Sequence, residues 1–190
     1  MGSEMCIRDS IIACDTVVLT GSWVAEHELA RAAGVPLEPS RAAPLVDTGL
    51  RTAVAWIVCA GNLAHPVLTA DSAALDAPVA AASALQALRM SSRARDAAEP
   101  GAVAVVGGEG VARVAPGLVR QDLVVPPRGR VVLWADVARR RPEVEVRQGG
   151  GLLWRSRLVR PLVPDRPFDL PAGWVVDVRV PGPEVVVYVR

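Results

Sequence analysis

The sequence predicts an α/β segment followed by a small all-β, sandwich-like domain. Three observations carry this reading. Over residues 11–90, apolar β-branched runs alternate with helix-like stretches. Residues 91–101, S-S-R-A-R-D-A-A-E-P-G, are polar and close on Pro-Gly, which marks a linker. From residue 102 onward, short Val-rich runs recur between Pro and Gly turns without helical periodicity.

Residues 11–20, I-I-A-C-D-T-V-V-L-T, read as a buried strand of the continuous apolar kind found in parallel sheets. Residues 26–33 form a short helix closed by Gly34, with His27 on its charged surface. Residues 44–48 are extended, and residues 57–60 are a second buried strand that ends at Gly61-Asn62. A helix begins near Thr69 or Asp71, either of which can cap it, and runs to about Met90. Pro78 interrupts it, so a kink or a restart capped by Asp76 is expected there.

In the second half, strands are expected over residues 111–114, 130–134, 144–147, 152–157, 174–180 and 184–189, packed as an antiparallel sandwich. Gly149-Gly150-Gly151 is a hairpin turn signal. Val144-Glu145-Val146-Arg147 alternates between an inner and an outer face. Trp134, Trp154 and Trp174 are expected to fill the core, with an aromatic binding face as the alternative.

Composition narrows the function classes. Half of the 190 residues are hydrophobic (51%) and the formal net charge is +1. This balance speaks against a nucleic-acid or membrane-surface partner and for a cytoplasmic protein acting on a small molecule, with oligomerisation left open. All 21 basic residues are arginine, a usage that suits a GC-rich bacterial genome, and the run Arg139-Arg140-Arg141 reads as a solvated turn. Cys14 and Cys59 lie in apolar runs and read as buried thiols. No Cys-x-x-Cys or other metal-ligand spacing occurs, so no metal is expected.

The first ten residues, M-G-S-E-M-C-I-R-D-S, differ from the rest in composition. Their back-translation resembles a transposon-end sequencing adapter. They lack the apolar centre of a signal peptide. Residues 1–10 are therefore set apart as non-native, and the native chain is expected to begin upstream of Ile11.

The stretch Val58-Cys59-Ala60-Gly61-Asn62-Leu63-Ala64-His65-Pro66 concentrates the chemistry. It contains the only asparagine of the chain and one of its two histidines. Gly61 lacks a Cβ, which permits close approach of backbone to a ligand. Asn62 offers an amide that both donates and accepts without adding charge. His65 is a weak catalytic candidate as a base, with a packed loop histidine as the alternative.

An ordered set of pieces resembles a known family. Asp15–Gly21 (D-T-V-V-L-T-G) is followed by Glu28-Leu29-Ala30 and Gly34. Leu45-Val46-Asp47 then precedes Leu50-Arg51-Thr52, and Cys59-Ala60-Gly61-Asn62 closes the set. The order resembles the closing part of a pyridine nucleotide-disulfide oxidoreductase, a two-dinucleotide-binding flavoprotein. Residues 102–190 are more weakly similar to the extra C-terminal β domain of some actinobacterial members. The resemblance implies that residues 11–90 comprise the end of an NAD(P)-binding domain and the C-terminal part of an FAD-binding domain. It implies an FAD-dependent, NAD(P)-linked oxidoreductase that passes hydride from NAD(P)H through FAD to an acceptor, with this chain as an inactive fragment of it. It further implies that Gly61, Asn62, Leu68 and Thr69 contact the flavin, with the helix near residues 68–71 aimed at the isoalloxazine. Two positions depart from the pattern: Trp56 stands where the family places a glycine turn, and Ser22 where near relatives carry an acid. Neither glycine-rich dinucleotide fingerprint is present. The alternative reading is a non-catalytic β-sandwich binding module with an attached α/β piece.

Overall fold

The computed structural model describes residues 13–18, 24–40, 42–66, 69–89, 101–122, 126 and 129–190. The expectations for residues 1–10, Thr20-Gly21, Ser22, Leu68 and the linker over 91–100 lie outside the described residues.

The first segment is built from short pieces. Helix α1 (Glu28–Ala32) is five residues long. It ends as expected at Gly34. There the Gly34 amide donates to Arg31 O (3.0 Å) and the Val35 amide to Ala30 O (2.9 Å), the paired bonds of a Schellman cap. His27 is half-buried at its start, with Nδ1 2.8 Å from Ala25 O. Helix α2 (Ala70–Ala74) is capped by Thr69, whose hydroxyl accepts from the Ser72 amide, so Asp71 is left as an ordinary first-turn acid. Helix α3 (Ala77–Arg89) restarts directly after Asp76 with Pro78 in its first turn, where a missing amide hydrogen costs nothing.

Two expectations for this segment fail. Residues 13–18 carry no strand, and Val17 and Val18 are 73% and 81% exposed. A strand of the doubly buried kind requires hydrogen-bonded neighbours and apolar cover on both faces, and no described residue pairs with this run. Cys14 is consequently exposed, whereas Cys59 is buried as expected. Residues 57–60 are also less than a full buried strand. Their ladder reduces to one antiparallel bridge, Arg51 with Val58, closing a tight hairpin. Trp56 projects from the turn of that hairpin and is exposed.

Among the described residues, the second half contains eight strands: β1 (Ala102–Gly107), β2 (Val111–Ala115), β3 (Leu118–Arg120), β4 (Arg130–Ala135), β5 (Glu143–Gln148), β6 (Gly151–Arg157), β7 (Phe168–Pro171) and β8 (Val185–Val189). They form a five-stranded sheet in the order β3-β1-β8-β5-β6 and a three-stranded antiparallel sheet in the order β2-β4-β7. One core joins the sheets: Val103, Val144, Val146, Val185 and Val187 from the first meet Val131, Leu133 and Leu170 from the second. The larger sheet is mixed, not purely antiparallel, because β1 runs parallel to β8.

The expected hairpin turn forms as a two-residue loop, Gly149-Gly150, with φ of +54° and +84° between the paired residues Gln148 and Gly151, so that Gly151 opens the next strand. Residues 174–180 are not a strand. Gly173–Asp177 is a 3-10 turn that buries the adjacent Trp174 and Val175 in the same core. Of the three tryptophans, Trp174 is in the main core and Trp154 packs partly buried against it. Trp134 lies on the opposite face of β4, with Ala115 and Val132. In the run Arg139-Arg140-Arg141, Arg140 and Arg141 are exposed, as expected of a turn.

The outer face of the five-stranded sheet carries an ion-pair ladder. Glu145, buried on β5, lies 2.9 Å from Arg147 Nε, 3.6 Å from Arg155 Nη1 and 3.9 Å from Arg190 Nη2. The hydrogen bond from Arg147, against the opposing effect of desolvation, holds the Glu145 carboxyl below its ordinary value of 4.5, with the charges of Arg147, Arg190 and Arg155 assisting. A folded pKa below the unfolded one means that folding favours the ionised form. The contribution is complete above about pH 4.5 and is lost as pH falls through the folded pKa. Urea unfolding at neutral pH and in acid should show a loss of stability on acidification that is smaller for Glu145→Gln. Equal losses in both proteins would contradict this.

Candidate functional site

The hairpin over residues 47–58 is organised by one carboxylate. Asp47 is fully buried. Its Oδ1 accepts from the Gly49 amide (2.8 Å) and the Arg51 amide (3.0 Å), and its Oδ2 accepts from Arg51 Nε (2.7 Å). Arg120, at the end of β3, adds an ion pair to the same Oδ2 at 3.0 Å and donates through Nη2 to Thr52 O at 2.9 Å. Arg51 in turn grips Asp122 with both terminal nitrogens, at 2.5 and 3.0 Å. Burial alone would lower the Arg51 pKa, but the hydrogen bond to Asp122 and the charge of Asp47 outweigh it and hold the guanidinium above its ordinary value. The Thr52 hydroxyl accepts from the Val54 amide and so fixes the turn that carries Trp56.

The strand leaving this hairpin delivers the Ala60-Gly61-Asn62 corner. Gly61 begins a one-turn 3-10 helix, Gly61–Leu63, with φ +65°, a conformation that strains any residue with a Cβ. Its amide donates to Asp76 Oδ2 at 3.0 Å, and its carbonyl accepts from the His65 amide at 2.8 Å. Asp76, expected only as a helix cap, is thus a fully buried anchor that ties the start of α3 back to the corner. Behind the corner, Arg113 of β2 donates through Nη2 to Ala64 O at 2.7 Å and lies 3.4 Å from Glu38. Its guanidinium stacks 4.8 Å above the Trp134 ring.

The expected site residues separate. Gly61 is half-buried and Asn62 is exposed on the corner. Thr69 is exposed at the cap of α2. Leu68 lies outside the described residues. His65 is 2% exposed with Nε2 3.7 Å from Asp76 Oδ2, which is the packed loop histidine and leaves no open face for a substrate. The five residues of α2 carry little of the axial dipole that a longer helix would bring to a flavin. The buried Cys59 thiol, pushed up by burial, stays protonated and unreactive at neutral pH.

Sequence reasoning missed Asp47, Asp76, Arg113 and Arg120 as structural groups. It also missed a cleft of about 610 Å³ that Thr69 and Ser72 share with residues 160–163 and 166–169 and with Arg130. Among the described residues, no group of histidine, cysteine and acidic side chains is arranged to hold a metal ion, and no helix is long and apolar enough to cross a membrane. No family model, curated protein or solved structure matches this chain.

Arg113→Met keeps the bulk over Trp134 but leaves the Ala64 carbonyl without its donor. It should cost about 1–3 kcal/mol of stability. It should also speed hydrogen exchange at the His65 amide, whose bond to Gly61 closes the corner. Unchanged exchange at His65 would show that Arg113 does not support the corner.

Proposed function

We propose that residues 42–89 form one wall of a flavin site. In this reading the chain belongs to an FAD-dependent, NAD(P)-linked oxidoreductase that passes hydride from NAD(P)H through FAD to an acceptor. One observation supports it best. The hairpin ends in a left-handed Gly61 that turns Asn62 outward, while the backbone on either side is pinned by Asp76 and Arg113. A rigid turn that presents an exposed amide is what orientation of a polar cofactor chain requires.

The residues present fit a limited part of such a group. Asn62 can donate to and accept from a ribityl hydroxyl or a phosphate oxygen. The Gly61 amide is committed to Asp76, so the glycine serves close approach and not donation. The Thr69 hydroxyl, 3.2 Å from Ser72 Oγ, is a second polar group on the same segment. Bound flavin would supply the two-electron chemistry, and this chain would supply orientation. His65, buried against Asp76, positions the corner and does not face a reacting atom.

The test uses a polypeptide extended upstream into the reading frame that precedes residue 11 in the source DNA. The extension should encode glycine-rich βαβ fingerprints, and the product should carry flavin absorbance through gel filtration. Asn62→Leu should weaken FAD binding by roughly 1–3 kcal/mol, because polar cofactor atoms lose a partner. An extension without such fingerprints, or an Asn62→Leu protein with unchanged FAD affinity, would overturn the reading.

A further inference from the structure

The cleft between α2 and the second half is not used by the flavin reading, apart from Thr69 at its edge. Its lining brings three guanidinium groups, Arg130, Arg160 and Arg166, together with a single carboxylate, Asp169. The fold sets each of them there. Arg130 opens β4, and Asp169 of β7 lies diagonally across the same face in the β4–β7 ladder. The segment carrying Arg160 is held by the buried Leu162, which exchanges two backbone hydrogen bonds with Arg139 at 3.0 Å each. Arg166 follows Asp165, whose φ of +60° turns the chain back toward β7. Opposite them stand the hydroxyls of Thr69 and Ser72.

Among the described residues, seven arginines elsewhere in the molecule are matched to acids, whereas others, such as Arg140 and Arg141, stand singly on exposed turns. Arg51 and Arg120 meet Asp47, Arg113 meets Glu38, and Arg147, Arg155, Arg157 and Arg190 meet Glu143 or Glu145. Among the described residues, no carboxylate pairs with Arg130, Arg160 or Arg166. Three like charges lining one concavity repel one another, and an anion placed among them would relieve that repulsion. The guanidinium fork suits planar or tetrahedral oxyanions bidentately. The volume of about 610 Å³ lies within the usual span of small-molecule sites.

We propose that this cleft binds a small molecule through a multiply charged phosphate group, held by Arg130, Arg160 and Arg166 with the Thr69 and Ser72 hydroxyls on the opposite wall. Its three arginines stand on the β half of the chain, and the site does not depend on the flavin reading.

Calorimetric titration of the whole chain with inorganic pyrophosphate at constant ionic strength tests it, with succinate as the carboxylate arm. Pyrophosphate should bind saturably, and more tightly than succinate. The double variant Arg160→Gln/Arg166→Gln, which alters only exposed side chains, should weaken pyrophosphate binding by about tenfold or more. Arg157→Gln, on the outer face of the other sheet beside Glu143, should bind as the unmodified protein does. Succinate binding as tightly as pyrophosphate would overturn the phosphate assignment. Absence of saturable binding, or equal binding by the double variant, would overturn the site.

Discussion

The buried carboxylate of Asp47 is the constraint on which the arrangement of the chain depends. A carboxylate removed from water is costly unless its charge and lone pairs are met. Here they are met by groups from two distant parts of the chain. Gly49 and Arg51 close the hairpin locally, while Arg120 arrives from β3. Arg51 meets the charge from within the hairpin, and Arg120 adds a second cation that ties the hairpin to the β half. The backbone follows the same joint: the amides of Gly117 and Leu118 both donate to Val46 O at 3.1 Å, and Asp47 bridges Leu118 in parallel. Gly117 has no side chain, and a Cβ there would come within 3.0 Å of Leu45.

Arg113 makes the joint two-pronged. It stands on β2, just before the turn into β3, so both arginines rise from one short stretch of chain. One enters the hairpin and the other enters the turn behind Asn62. Trp134, with Ala115 and Val132, supplies the apolar floor beneath Arg113 on the outer face of β4. That face explains why a tryptophan expected in the sandwich core lies outside it. The same face places Arg130 and Asp169 opposite α2, and so creates the arginine-lined cleft as a by-product of how the halves dock.

Legibility in the sequence followed locality. Features set by a few neighbouring residues were readable: the Gly34 cap, the restart at Pro78, the Gly149-Gly150 hairpin and the inward Val144 and Val146. Strands whose outward positions are small or whose runs are short were missed, as with β1 (A-V-A-V-V-G), β3 and β7. The apolar runs at residues 13–18 and 174–180 carried strand-like composition, but composition does not specify a pairing partner, and tertiary context decided both. The ion-pair groups were invisible for a related reason. Asp47 and Arg120 look like two scattered charges until the fold brings them to 3.0 Å. Of the candidate site, the Gly61 turn could be anticipated from its glycine. A packed His65 was one of the sequence readings, but its partner Asp76, which lies eleven residues on, could not be read from it.

A double-mutant cycle on Asp47 and Arg120 tests most directly the claim that one buried carboxylate joins the halves. Unfolding free energies would be measured for Asp47→Ala, Arg120→Ala and the double variant. Asp47→Ala strands the buried Arg120 guanidinium and should cost about 3–5 kcal/mol, while Arg120→Ala leaves Asp47 with Arg51 as its remaining cation and should cost about 1.5–3 kcal/mol. The double change removes both charges, so its cost should fall short of the sum by about 1–3 kcal/mol. Costs that add to within about 0.5 kcal/mol would contradict the account, because the two residues would then act independently.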